Sequence, residues 1–91
     1  MKFTWDEAKR RFNLIKHKLD FVDASAVFDG ITATFEDNRF DYGEQRFITL
    51  GLLSSAVVVI VHTERDNSIR VISMRKATKY EQKLYFQSFT D

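Results

Sequence analysis

With 91 residues, 44% of them hydrophobic and 14% aromatic, the chain has material for one domain around a single core and is too apolar to be disordered. The absence of cysteine excludes disulfides and thiolate zinc sites and suits a cytoplasmic protein, and two histidines alone cannot build a histidine-rich metal site. A net charge of only +1 argues against independent DNA binding, and neither a secretory signal before Phe3 nor an apolar run of roughly 20 membrane-spanning residues is expected.

Thr4-Trp5-Asp6-Glu7 has capping-box form, a threonine followed three residues on by a glutamate, and predicts a helix over about residues 5–18. Its apolar positions Trp5, Ala8, Phe12, Ile15 and Leu19 alternate spacings of three and four, which predicts one buried stripe. Asp20 can cap a shorter helix with Phe21, Ala24, Val27 and Phe28 inside, closed by Gly30 in a left-handed conformation. Ile31 to Phe35 reads as a strand, 36–44 as a polar loop and Arg46 to Leu53 as a second strand. Ser54-Ser55 turns the chain into Ala56 to His62, apolar on both faces and hence a central strand covered on both sides. Asp66-Asn67 suits a two-residue hairpin turn into a fourth strand, Ser68 to Arg75. Thr78-Lys79-Tyr80-Glu81 is a second capping box, opening a last helix to about Ser88. The order ααββββα predicts a single α+β domain over residues 1–91 with a largely antiparallel four-stranded sheet.

Charge is unevenly spread. Residues 1–18 hold six basic groups (Lys2, Lys9, Arg10, Arg11, Lys16, Lys18) and 64–83 hold six more (Arg65, Arg70, Arg75, Lys76, Lys79, Lys83). Residues 20–44 hold seven acids and only Arg39. If the two ends of the chain meet, they form a basic face that would attract nucleic acid or an acidic protein. The plainer reading is a set of solvated helix faces.

The chemistry concentrates around the predicted hairpin. A two-residue turn pairs Arg65 with Ser68, Glu64 with Ile69, Thr63 with Arg70 and His62 with Val71. Thr63, Arg65 and Arg70 then share one face, and the two guanidiniums, diagonal neighbours, repel unless an anion lies between them. A phosphate would fit their planar forks, but Glu64, Asp66 or the loop acid Glu44 could equally neutralise them. Strand alternation puts Arg75 on the opposite face, able to join the others only by bending around the strand's end. His17, in the last turn of a helix, complements the helix dipole or serves as an acid or base near neutral pH. His62 reads as a structural histidine, and Tyr85 as a core aromatic that could stack on a base. No P-loop, dinucleotide fingerprint, nucleophile elbow or metal-ligand motif is present.

Taken together, the residues resemble a known family. Trp5-Asp6-x-x-Lys9, Asn13, Lys16-His17 and Phe21-x-x-Ala24-x-x-Val27-Phe28-Asp29 are similar to the start of the BrnT toxins. Gly43-Glu44-x-Arg46, Gly51, Thr63-Glu64-Arg65, the run from Arg70 to Ala77, Glu81 and Tyr85 follow in the family's order. Met74 stands where the family usually has alanine, and Lys18 where it often has glycine. The resemblance implies a ribonuclease toxin of a type II toxin–antitoxin system with a RelE-like fold and no cofactor. It further implies neutralisation by a BrnA-type antitoxin, with operator DNA reached only through that antitoxin. RNA would be cut without a metal, by attack of the 2′-hydroxyl on the neighbouring phosphate. Under this resemblance Arg65, Arg70 and Arg75 are the expected phosphate stabilisers and Glu64 and His17 the acid–base candidates. Lys16, Lys76 and Tyr85 are the expected RNA contacts. The competing reading is a non-catalytic interaction or corepressor module whose basic face binds an acidic or DNA-binding protein.

Overall fold

A long strand that is apolar on both sides must be covered on both sides, and the fold is arranged around that need. The computed structural model describes residues 1–89. Strand β1 (Lys2–Trp5) leads into helix α1 (Glu7–His17), a 3₁₀ turn (Phe21–Asp23) and the short helix α2 (Ala24–Phe28). Strands β2 (Thr32–Asp37), β3 (Arg46–Leu53), β4 (Ala56–Arg65) and β5 (Ser68–Lys76) follow, then helix α3 (Lys79–Gln87). They form one five-stranded sheet in the order β1-β5-β4-β3-β2. The expected four-stranded sheet therefore gains a strand, and the sheet is mixed, because β1 runs parallel to β5. A four-residue strand directly before a helix cap is too short to announce itself by alternation.

The strand β4 alternates as expected. Val58 and Ile60 join Phe21, Ala24, Val27, Ile69, Val71 and Met74 in a core beneath the 3₁₀ turn and α2. Val57 and Val59 face the other way, with Leu50 and Tyr85, under α3. Gly51 permits the close approach of α2 to β3, since a Cβ there would lie 2.6 Å from Val27 Cγ1. Both hairpin turns fall where expected, with Ser54 and Asp66 at φ 57° and 55°. The β4–β5 pairing Arg65–Ser68, Glu64–Ile69, Thr63–Arg70 and His62–Val71 is the predicted one.

Three local expectations are corrected. Asp6, not Thr4, caps α1, accepting from the Lys9 amide at 3.1 Å, because Thr4 is already paired in β1. Gly30 is not left-handed, whereas Lys18, the C-cap of α1, is, at φ 60°. Most consequentially, the apolar stripe of α1 points outward, with Phe12 and Ile15 at 65% and 73% exposure. The residue that faces inward is Asn13. Its Nδ2 donates to the carbonyls of Met74 (2.9 Å) and Leu19 (3.2 Å), and its Oδ1 accepts from the Met74 amide at 3.1 Å. Because β1 pairs with β5 only as far as Val71, Met74 would otherwise present bare backbone groups at the sheet edge.

Two outcomes follow. Asn13→Ala leaves the Met74 amide and carbonyl without their protein partners and should lower stability by about 2–4 kcal/mol, read by urea denaturation. Asn13→Asp, which keeps the acceptor and loses the donors, should not rescue it; full rescue would mean that only the Met74 amide matters. Lys18→Gly should raise stability by about 0.5–1 kcal/mol by removing the left-handed penalty, seen as a thermal midpoint several degrees higher.

Candidate functional site

The strand pairing decides which arginines share a face. Val71 is opposite His62 and Ser73 is opposite Val61, so Ile72 is left over as the extra residue of a β-bulge. That one residue reverses the parity of everything after it. Arg70 lies opposite Thr63 and Arg75 opposite Val59, and Val59 and Thr63 are on the same side of β4. The expectation that Arg75 faces the opposite layer is thus corrected: Arg70 and Arg75 are on the α3 side together. Their partners are four positions apart on β4, about 13 Å, so they are spaced to hold separate anionic groups rather than one.

At the hairpin end of this face lies a groove of about 450 Å³, lined by Thr63, Glu64, Arg65, Arg70 and, from the loop before β3, Gly43 to Gln45. Glu44 holds Arg70 through both carboxylate oxygens, at 3.1 and 3.0 Å, and its Oε2 is 3.4 Å from Arg46 Nε. One carboxylate therefore serves two guanidiniums. Arg46 stacks on Tyr42, its Cζ 4.1 Å from the ring centre. Arg65 is the arginine that has no ion pair among the described residues.

Further along, Glu81 grips Arg75 with two bonds of 2.7 and 2.8 Å while also accepting from the Thr78 amide at 2.9 Å. The capping box of α3 and the arginine clamp use the same carboxylate. Arg75 lowers the Glu81 pKa to about 2, more than burial raises it. The Arg75 guanidinium is in turn raised by Glu81, an effect opposed chiefly by burial and, less, by the like charge of Arg39. Phe47 stacks on His62 on the α2 side, so Arg46 and its β2 partner Asp37 point to the α3 side, where Asp37 holds Arg39 at 2.8 and 2.9 Å and accepts from the Tyr42 hydroxyl at 3.1 Å. The guanidinium of Arg39 keeps the buried Asp37 carboxyl well below the usual range.

The other expected site residues are elsewhere. Lys16 and His17 line a separate groove with Phe12, Ile72 and Ser73, which shares no residue with the hairpin groove. Lys76 lies opposite Val58, whose side chain faces the α2 core, and lines a third hollow with Gln82 and Phe86. Tyr85 is 1% exposed, and its hydroxyl donates to the Ile31 carbonyl at 2.8 Å. It is a core residue and cannot stack on a base, which corrects that expectation. Arg39 was missed as a candidate because its loop reads as acidic and polar, and Arg46 because it reads as an ordinary strand residue. The signal available was Arg46 itself, the first residue of a strand that pairs with β4.

His62 is buried on the α2 side between Phe28 and Phe47, its Nε2 2.7 Å from Thr49 Oγ1. Among the described residues no cluster of three or more His, Cys, Asp or Glu could hold a metal ion, and no helix is long and apolar enough to cross a membrane.

Burial pushes the His62 pKa down to about 4 from 6.5. The unfolded chain therefore takes up this proton before the folded one, so stability is full above about pH 6.5 and declines as pH falls toward 4. The lowered carboxylates Asp37 and Glu81 act in a different window: their stabilisation is lost only as pH falls below their unfolded values near 4. Urea midpoints should thus show a loss of about 2–3 kcal/mol between pH 6.5 and 4.5 in the wild type and a much smaller one in His62→Gln. An equal loss in both would assign the effect to another group.

Residues 5–81 match the family model described as the ribonuclease toxin, BrnT, of type II toxin–antitoxin systems. A search of the curated proteins finds no match.

Proposed function

Because the chain belongs to the BrnT family of ribonuclease toxins of type II toxin–antitoxin systems, we propose that its hairpin groove is where RNA is cut. The observation that supports this reading is the groove's lining: the guanidiniums of Arg65 and Arg70 with the Glu44 carboxylate on Arg70, and Glu64 at its margin, next to the end of β4, although its pairing with Ile69 starts it from the other face. RNA cleavage within the strand needs a base, an acid and fixed positive charge. Glu64 takes the proton of the 2′-hydroxyl, whose oxygen forms a bond to phosphorus. The bond from phosphorus to the 5′-oxygen breaks, and that oxygen leaves with a proton from an acid or water. A 2′,3′-cyclic phosphate and a free 5′-hydroxyl result.

The pentavalent phosphorus carries more negative charge than the diester, and guanidinium is charged at any relevant pH. Arg65 meets that charge directly, and Arg70 does so by exchanging Glu44 for a phosphate oxygen. No step calls for a metal. Arg75 and Arg39 hold the strand further along the same face. His17 lines the other groove, which shares no residue with this one, so in this reading the proton transfer is assigned to Glu64. The proposal also includes a RelE-like fold, a cytoplasmic setting, a BrnA-type antitoxin, and operator DNA contacted only through that antitoxin.

One observation favours the interaction-module reading: Arg70 and Arg75 already have carboxylate partners. The same experiment separates the two. Purified protein should cut RNA in the presence of EDTA, and Arg65→Ala and Arg70→Ala should each slow cleavage by about 10²-fold or more with unchanged circular dichroism. Glu64→Gln should slow it while leaving RNA binding intact. Intact RNA at high enzyme concentration, a requirement for divalent metal, or undiminished cleavage by both arginine variants would refute the mechanism.

A further inference from the structure

The residues Ala8, Phe12 and Ile15 have the spacing of a buried helix face, yet in this fold they face solvent while Asn13 occupies the inward side. An exposed apolar stripe rimmed by polar residues marks an interaction site. Next to Phe12 a groove of about 460 Å³ opens between α1 and β5, with Lys9, Lys16 and Ile72 in its walls. The rim carries one sign of charge. Lys9, Lys16 and Lys18 have no ion pair among the described residues. The acids at the start of α1 are already engaged, Asp6 by the Lys9 amide and Glu7 by Arg10 and Trp5.

Resting on the toxin–antitoxin reading, we infer that this face seats an acidic amphipathic segment of the antitoxin. Its apolar side chains lie on Phe12 and Ile15 and enter the groove, and its carboxylates meet the lysine rim. Charge complementarity selects this occupant. A second copy of the chain would bring two lysine rims together, which like-charge repulsion opposes. The stripe is also distinct from the hairpin groove, since the two grooves share no residue. Neutralisation and cleavage are therefore separable by mutation.

The test is the double variant Phe12→Asp with Ile15→Asp, expressed with and without the cognate antitoxin. Expressed alone, it should arrest growth and cut RNA like the wild type; with the antitoxin, it should escape rescue. Titration calorimetry should show antitoxin binding weakened by about 100-fold, and wild-type binding should weaken with added salt. Both side chains are in solvent, so circular dichroism should not change; if the aspartates unfold α1, Phe12→Ser with Ile15→Ser takes their place. Rescue of the variant as complete as that of the wild type would overturn the inference. So would loss of cleavage by the folded variant, which would give the stripe to RNA, or a wild-type dimer that the variant dissociates, which would give it to a second copy. A wild type that neither arrests growth nor cuts RNA would instead sink the toxin reading itself, a distinguishable failure.

Discussion

The side-chain amide of Asn13 ties helix α1 to the open edge of β5. A sheet edge that is half covered is a structural problem: β1 satisfies β5 up to Val71, and beyond it the backbone is open. Asn13 closes it by imitating a strand, giving Met74 one donor and one acceptor at once, and its second N–H fixes the Leu19 carbonyl after α1 has ended. A hydrophobic residue there would pack but leave two backbone groups bare, a cost of about 1–3 kcal/mol for each that water does not reach. The polar residue at the centre of the helix's inward face is thus a backbone partner, and α1 can dock on an edge rather than on a sheet face.

The same edge governs the arginines. The extra residue Ile72 lies between the last residue paired to β1 and the residue held by Asn13. Pinning Val71 on one side and Met74 on the other fixes the bulge in place, and the bulge is what turns Arg75 to the side of Arg70. Moving the bulge past Arg75 would send that guanidinium into the α2 core, away from Glu81. The positions of the charged groups are therefore set by a backbone irregularity several residues away, which is a common use of bulges beside functional sites.

This explains what the sequence made legible and what it concealed. The β4–β5 register could be read because it depends on two turn residues and on alternation, both local. The capping box of α3 was readable for the same reason. The bulge was not, because Ile72 is an ordinary strand residue and nothing nearby distinguishes it. Periodicity predicted a buried stripe on α1, but Phe12 and Ile15 face solvent, because the edge of β5, bonded to Asn13, sets the helix's rotation. Of the candidate residues, Thr63, Arg65 and Arg70 share a face through the register that the turn implies, while Glu64 pairs with Ile69 on the other. Arg39 came from a loop whose acids masked it, Arg46 from the first position of β3, and Tyr85 is buried in the core.

The ion pairs on the α3 side differ in how readily they can be exchanged, and this bears on how an enzyme could use arginines that are already paired. Arg70 and Glu44 are both substantially exposed, and such a pair contributes little, about 0–1 kcal/mol. A phosphate oxygen can replace Glu44 at small cost, and Arg46 remains beside Glu44 as its second partner. Arg75 is different. Its carboxylate also caps α3, so releasing Glu81 would loosen the helix that covers Leu50, Val57 and Val59. Arg75 is better suited to attract a phosphate while keeping its carboxylate than to give it up. In the proposed reaction the exchangeable pair sits in the hairpin groove, where charge develops, and the tied pair sits further along, where RNA need only be held.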